Sequence, residues 1–129
     1  MKVIVKDENF AGKILCEISL EFKTELVTVK DIITERVSQE VSEYNTKLPE
    51  YFNGLVEPTE AEKTLNGFKL KQKKLIDAEQ QVYTALDAFQ KNAYFVLIDN
   101  IQSESLAQVV PLSQSTTISF VKLTPLIGG

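Results

Sequence analysis

Ser115-Thr116-Thr117-Ile118-Ser119-Phe120-Val121-Lys122-Leu123-Thr124-Pro125-Leu126-Ile127-Gly128-Gly129 closes the sequence and divides into two kinds of chain. Ile118 and Phe120 alternate with polar neighbours among β-branched and aromatic types, which predicts a strand. Pro125 has no N–H to give a ladder, so pairing is expected to stop there. Residues 124–129 then read as a flexible C-terminal tail, apolar at Leu126 and Ile127 and bare at Gly128 and Gly129. Two residues without a Cβ can be threaded through a slot too narrow for any other type. They also leave a terminal carboxylate sterically open, as needed to bring ATP onto it and make an acyl-adenylate. An incidental flexible tail is the plainer alternative.

The whole chain has 129 residues, which suits one domain with a proper core. No run approaches the ~20 apolar residues of a membrane span, and Met1-Lys2-Val3-Ile4-Val5-Lys6 is too short an apolar run for a signal peptide. A single cysteine excludes an internal disulfide framework, so the expected compartment is the cytoplasm. The net charge of −4 argues against nucleic acid as the main partner. The chain has 0 histidines, which removes the commonest general base and metal ligand and every Ser-His or Cys-His nucleophile arrangement. No Walker loop, paired cysteine motif or nucleotide-binding glycine pattern is present. The sequence therefore predicts no catalytic side chain, no metal site and no bound cofactor; it does not look like an enzyme.

Working back from the closing strand, Ala93-Tyr94-Phe95-Val96-Leu97-Ile98 is a continuous apolar run, expected to be the central strand of a mixed sheet, buried on both faces. Ile101 to Leu106 reads as a brief edge strand or loop, and Pro111 as a break. At the front, Met1, Val3 and Val5 share one side of an extended segment, and Asp7-Glu8-Asn9 has turn chemistry. Ile14, Cys16, Ile18, Leu20 and Phe22 then alternate with Glu17, Ser19 and Glu21, completing a hairpin with one buried face. On that parity Cys16 is expected to be a small core side chain rather than a reactive thiol. Thr28 followed by Asp31 predicts a capped helix start, and Val29, Ile33, Val37, Val41 and Tyr44 form its apolar stripe.

Residues 45–92 are read as a helical insertion. Thr59-Glu60-Ala61-Glu62 looks like a capped short helix that ends near Asn66-Gly67 in a left-handed stop. A second helix is expected over about 71–91, with Leu75, Val82, Leu86 and Phe89 on one face beside Ala78 and Ala85. It either packs on its own domain as a lid or serves as an arm for a partner, and a continuous apolar stripe favours packing. Lys69, Lys71, Lys73 and Lys74 form a basic run, read as a solvated face or as a patch for an acidic partner.

Taken together, these pieces resemble the ubiquitin-like β-grasp proteins. Met1-Lys2-Val3-Ile4-Val5-Lys6 looks like the opening strand of ubiquitin, and Leu26-Val27-Thr28-Val29-Lys30-Asp31 like the threonine-capped entry to its helix. The Gly-Gly end is similar to those of ubiquitin, of bacterial ubiquitin-like modifiers, and of the small sulfur carriers of molybdopterin and thiamine biosynthesis. Pro125-Leu126-Ile127 is closer to the sulfur carriers, because the ubiquitin tail bears arginine. The resemblance implies an α+β domain over 1–129, in which a mixed sheet wraps one long helix and the first and last strands run parallel as neighbours. The insertion replaces what is usually a short connection.

The resemblance also implies a function. An E1-like adenylating enzyme would use ATP to activate the Gly129 carboxylate, with Gly128 as the unhindered approach and Pro125, Leu126 and Ile127 recognised by that enzyme's channel. A conjugating enzyme and a deconjugating protease complete the set of implied partners for a protein modifier. The alternatives are a sulfur carrier ending in a thiocarboxylate, or a non-covalent β-grasp binding module. That module would use an apolar patch of Ile4, Val121 and Leu123 on the sheet face opposite the helix.

Overall fold

The computed structural model describes residues 1–70 and 75–123. In chain order these form β1 (Lys2–Asn9), β2 (Ile14–Glu21), β3 (Leu26–Thr28), α1 (Val29–Lys47), β4 (Ala61–Thr64), β5 (Gly67–Leu70), α2 (Ala78–Gln90), β6 (Tyr94–Ile98), β7 (Ile101–Gln102), β8 (Val109–Pro111) and β9 (Ile118–Lys122). The main sheet is mixed and five-stranded, in the order β2-β1-β9-β6-β7. β9 runs parallel to β1, with Val5 opposite Ile118, and antiparallel to β6, with Val96 opposite Phe120. The architecture is α+β, with two helices on a mixed sheet.

One face of the sheet makes the core. Val3 and Val5 of β1, Leu20 of β2, Ile118 and Phe120 of β9 and Val96 of β6 are buried against Val29, Ile32, Ile33, Val37 and Val41 of α1. α1 starts where the sequence places it. The Thr28 hydroxyl accepts from the Asp31 N–H at 3.1 Å, and the Asp31 carboxylate accepts from the Thr28 N–H at 2.9 Å. This reciprocal box satisfies two groups that a helix start otherwise leaves unpaired. The helix ends at Leu48, in a left-handed conformation directly before Pro49. α2 lies on the same side, packed on α1, and the Tyr94 hydroxyl donates to the Ala85 carbonyl at 2.6 Å.

Several elements differ from their sequence reading. Residues 61–70 form the hairpin β4–β5 rather than the end of a short helix. Asn66-Gly67 suits either a helix stop or a tight hairpin turn, and here Phe68 pairs with Phe52 through two backbone hydrogen bonds, which draws the segment into strands. Gly67 has φ +124, and a side chain there would collide with Asn53. α2 begins at Ala78 with Asp77 as its cap, so the expected helix over 71–91 is shorter, and Leu75 is 64% exposed. Ala85 and Phe89 are buried, and Val82 and Leu86 are partly buried against the core. β6 is not the central strand; β9 is, and Phe95 and Leu97 are only half-buried on the sheet's other face. Pro111, read as a break, is the last residue of β8, paired with Leu26 of β3, and the strand stops there as expected.

Candidate functional site

Gly128, Gly129, Pro125, Leu126 and Ile127 lie outside the described residues. What the structure describes is the strand from which they continue, and that strand is held from below by a buried ionic cluster. Asp7 carries on the inward parity of Val3 and Val5, so it belongs to β1 and not to the turn that its neighbours Glu8 and Asn9 suggest. Its carboxylate accepts both terminal nitrogens of Arg36, the Nη2–Oδ2 bond being 2.7 Å. Arg36 sits on the sheet-facing side of α1 and is fully buried. Its Nε donates to Glu40, whose other oxygen accepts from the Leu55 N–H at 2.9 Å. The guanidinium lies 4.5 Å from the centre of the Phe120 ring, and Lys122 Nζ is 3.5 Å from Asp7 Oδ2. Both contacts reach β9, so the cluster fixes the last described strand to β1 and α1.

Electrostatics divide the two carboxylates. For Asp7, burial pulls the pKa up, but the hydrogen bond and charge of Arg36, with Lys122 behind, outweigh it and hold the carboxyl below its usual range. For Glu40, burial is the largest influence and the charge of Arg36 does not fully offset it, so the pKa is raised. Burial also opposes the charge on Arg36, yet its bonds to Asp7 and Glu40 prevail and strengthen its hold on the proton. A planar, permanently charged group with two carboxylate partners is what such a position needs. The cluster is an internal clamp: every described member of it is bonded to another, and Arg36 has no access to a solute.

Cys16 is exposed, contrary to its parity: it lies on β2, the edge strand of the main sheet, and Ile14 and Leu15 beside it are exposed too. Its sulfur lies 3.4 Å from Asp7 Oδ2. Partial burial and that carboxylate's charge raise the thiol's pKa, which disfavours the reactive thiolate.

On the inner side, where β9 ends, a groove of about 830 Å³ opens between the sheet, α2 and the segment that joins the two helices. Its apolar walls include Leu15, Leu55, Val56, Phe68 and Leu123. This joining segment is tied down at three points. Asn45 exchanges two hydrogen bonds with the Ile76 backbone, at 2.8 and 3.0 Å. Gln81 Nε2 donates to the Val56 carbonyl at 2.8 Å, and Glu40 holds Leu55. Lys69 lies in β5, 3.7 Å from Glu50; Lys71, Lys73 and Lys74 lie outside the described residues.

The expected patch of Ile4, Val121 and Leu123 is not brought together. Ile4 is 51% exposed on the outer face. Val121, half-buried, stands level with Glu8 of β1 and beside Phe95 of β6. Four residues of strand separate the levels of Ile4 and Glu8, about 13 Å. Leu123 follows the strand and lines the inner groove instead. Sequence reasoning missed Asp7, Arg36 and Glu40, although a signal existed: Asp7 keeps the strand parity, and Arg36 and Glu40 fall within the helix stripe.

No helix among the described residues is long and apolar enough to cross a membrane. A comparison with models of known protein families finds no match, and no curated protein or solved structure is similar enough to count as one.

Proposed function

We propose that this chain is a ubiquitin-like protein modifier of the β-grasp fold, whose Gly128-Gly129 end is adenylated by an E1-like enzyme and joined to a target. The observation that carries the reading is the placement of β9. It lies between β1, its parallel neighbour, and β6, and the Asp7–Arg36–Glu40 cluster ties it to α1. A last strand parallel to the first, with a long capped helix packed on the sheet, supports the β-grasp. A strand held this firmly gives the following six residues a fixed origin, which favours handing a reacting end to a partner.

The chemistry needs a free carboxylate on Gly129. One carboxylate oxygen attacks the α-phosphorus of ATP, the bond from that phosphorus to the bridging oxygen breaks, and pyrophosphate leaves. A thiol or amine then attacks the carbonyl carbon of the mixed anhydride, loses its proton, and AMP departs. Attack by an amine gives a modified target and attack by a thiol a thioester; attack by hydrosulfide, with loss of AMP and a proton, gives the thiocarboxylate of a sulfur carrier. No side chain of this chain acts in either step. Adding a side chain at the reacting residue displaces the carboxylate in a narrow channel, and a misplacement of about 1 Å costs on the order of a hundredfold in rate. Gly129→Val is therefore expected to abolish ATP-dependent adenylate formation with a cognate adenylating enzyme while leaving the unfolding midpoint unchanged. An unimpaired variant would argue against the reading.

The exposure of Ile4 on a sheet face that neither described helix covers favours a second reading, a non-covalent binding module. Ile4→Asp would then abolish partner capture, and Gly129→Val would not.

A further inference from the structure

We infer that the cleft between β1 and the loop leading into β9 binds the phosphoryl group of a small phosphate monoester. The ladder of β1 with β9 begins at Val5 opposite Ile118, so Lys2 and Ile4 lie beside the loop 113–117 and not beside a strand. On the other side of β1, Met1 and Phe22 exchange both backbone hydrogen bonds, and in an antiparallel pair such bonding recurs at every second residue. Val3 and Val5 therefore turn their backbone groups toward β2, and Lys2 and Ile4 turn theirs toward the loop. Among the described residues no backbone hydrogen bond joins the loop to the Lys2 or Ile4 N–H. The cleft thus presents backbone donors without a protein partner, and a ligand oxygen can accept from them.

The side chains supply charge of the matching sign. Lys2 and Lys6 line the cleft, the hydroxyls of Ser115, Thr116 and Thr117 stand across it, and none of its described walls is a carboxylate. In a chain of net charge −4 this is a local reversal. Strand alternation puts Lys2, Ile4 and Lys6 on one face, so two ammonium groups on flexible stems flank whatever is seated above Ile4. Neither lysine has an ion-pair partner among the described residues. Glu21, opposite Lys2 in the ladder, is held by the Met1 ammonium at 3.1 Å, and Glu17 stands opposite Lys6 without a bridge to it. The loop has its own fixed shape. The Ser113 N–H donates to Thr116 Oγ1 at 2.9 Å, the Ser115 N–H to Ser113 Oγ at 3.2 Å, and the Thr117 N–H to the Asp99 carboxylate at 2.9 Å. Walls already ordered lose less entropy on binding.

Two ammonium groups with N–H and O–H donors suit a phosphate monoester, which carries about two negative charges and three acceptor oxygens. A carboxylate brings one charge and two oxygens. The cleft holds about 330 Å³, at the lower end of the roughly 300–1,000 Å³ of small-ligand sites, which favours one phosphoryl group with a short carbon skeleton. Ile4, 51% exposed, is the apolar floor for that skeleton. This site stands apart from the chemistry proposed at Gly129.

The test uses the full chain, nitrogen-15 NMR spectra, and inorganic phosphate and glycerol phosphate as probes. Saturable shifts are expected at the amides of Ile4, Ser115 and Thr117, half complete at about 1–10 mM and at a lower concentration for glycerol phosphate. Lys2→Gln and Lys6→Gln should each raise that concentration about threefold to tenfold, and Lys13→Gln, in the β1–β2 turn, should leave it unchanged. The Ile33 resonances of the core should stay in place in all three variants, so that lost binding is not lost folding. Shifts reproduced by sodium chloride at equal ionic strength, shifts that never saturate, or lysine variants that bind as wild type does would overturn the inference. Acetate binding as tightly as phosphate would overturn it too, because the cleft would then read charge alone.

Discussion

The sheet with α1 and the segment that joins the two helices are built on different physics, although they share one core. In the first, burial is complete: Val5, Leu20, Ile32, Ile33 and Phe120 are each 0% exposed. In the joining segment the anchors Phe52, Leu55, Leu70 and Ile76 stay between 3% and 9% exposed, and polar ties hold them as much as packing does. The contrast teaches that the region carrying β9 is the stable part, and that the groove's far wall is the part expected to open first.

The sharpest way to break that contrast is Arg36→Met. It leaves Asp7 and Glu40 under the sheet without their shared cation, and loss of one partner from a buried ion pair costs about 3–5 kcal/mol. Denaturant unfolding should show this; a loss below about 1 kcal/mol would mean the clamp does not hold β9. Phe52→Ala comes next. Its ring meets Tyr44 edge-on with centroids 5.4 Å apart, so the joining segment loses its main anchor. A cost of about 2–3 kcal/mol is expected, below the usual range for a fully buried phenylalanine because the surroundings can relax. Hydrogen exchange should quicken in β4 and β5 while β1 and β9 stay protected. Equal quickening in both regions would erase the distinction.

The same contrast explains what could be read from the sequence. Alternation in β1 and β2 and the Thr28–Asp31 box are local signals, and each predicted its element. The inward parity of β2 failed at Cys16 because parity says which face a residue is on, not whether a helix covers that part of the face. The β4–β5 hairpin was not legible. Its strands are four residues each with no clear alternation of apolar and polar types, and the contact that selects them, Phe52 with Phe68, lies across a loop. Asp7 and Arg36 were hidden for another reason: a charge on an apolar stripe is ordinarily read as its edge, and only the meeting of two such charges makes burial tolerable. Of the candidate site, β9 was legible and the groove was not, since its walls come from separate parts of the chain.

A gentler probe is pH. The folded pKa of Asp7 lies below that of an ordinary carboxylate, so the native state binds fewer protons there than the unfolded one. Its stabilisation is complete above the ordinary carboxylate range and is lost as pH falls through the lower folded value. Glu40 has the opposite sign: its raised pKa costs stability at neutral pH, and the cost is relieved as pH falls through that raised value. The stability gap between wild type and Asp7→Asn should therefore narrow on acidification. A gap constant with pH would mean that the Asp7 charge is not what the clamp uses. The smallest effect belongs to Leu75→Ala, expected within about 0.5 kcal/mol because the side chain is 64% exposed. A larger loss would place Leu75 in the core after all and blur the edge between the two regions.

The proposed chemistry can be read most directly from tryptic peptides of proteins from the source cell. Lys122 is the last lysine or arginine in the sequence, so trypsin cleaving after it leaves residues 123–129 as one piece, Leu-Thr-Pro-Leu-Ile-Gly-Gly. If Gly129 is joined to an amine of a target, that seven-residue piece remains on the target lysine, with the loss of one water. The account predicts branched lysine peptides with this remnant in wild-type cells and their absence with Gly129→Val. Mass spectra holding only the unbranched piece, as free acid or as thiocarboxylate, would contradict the modifier; the thiocarboxylate would identify a sulfur carrier instead.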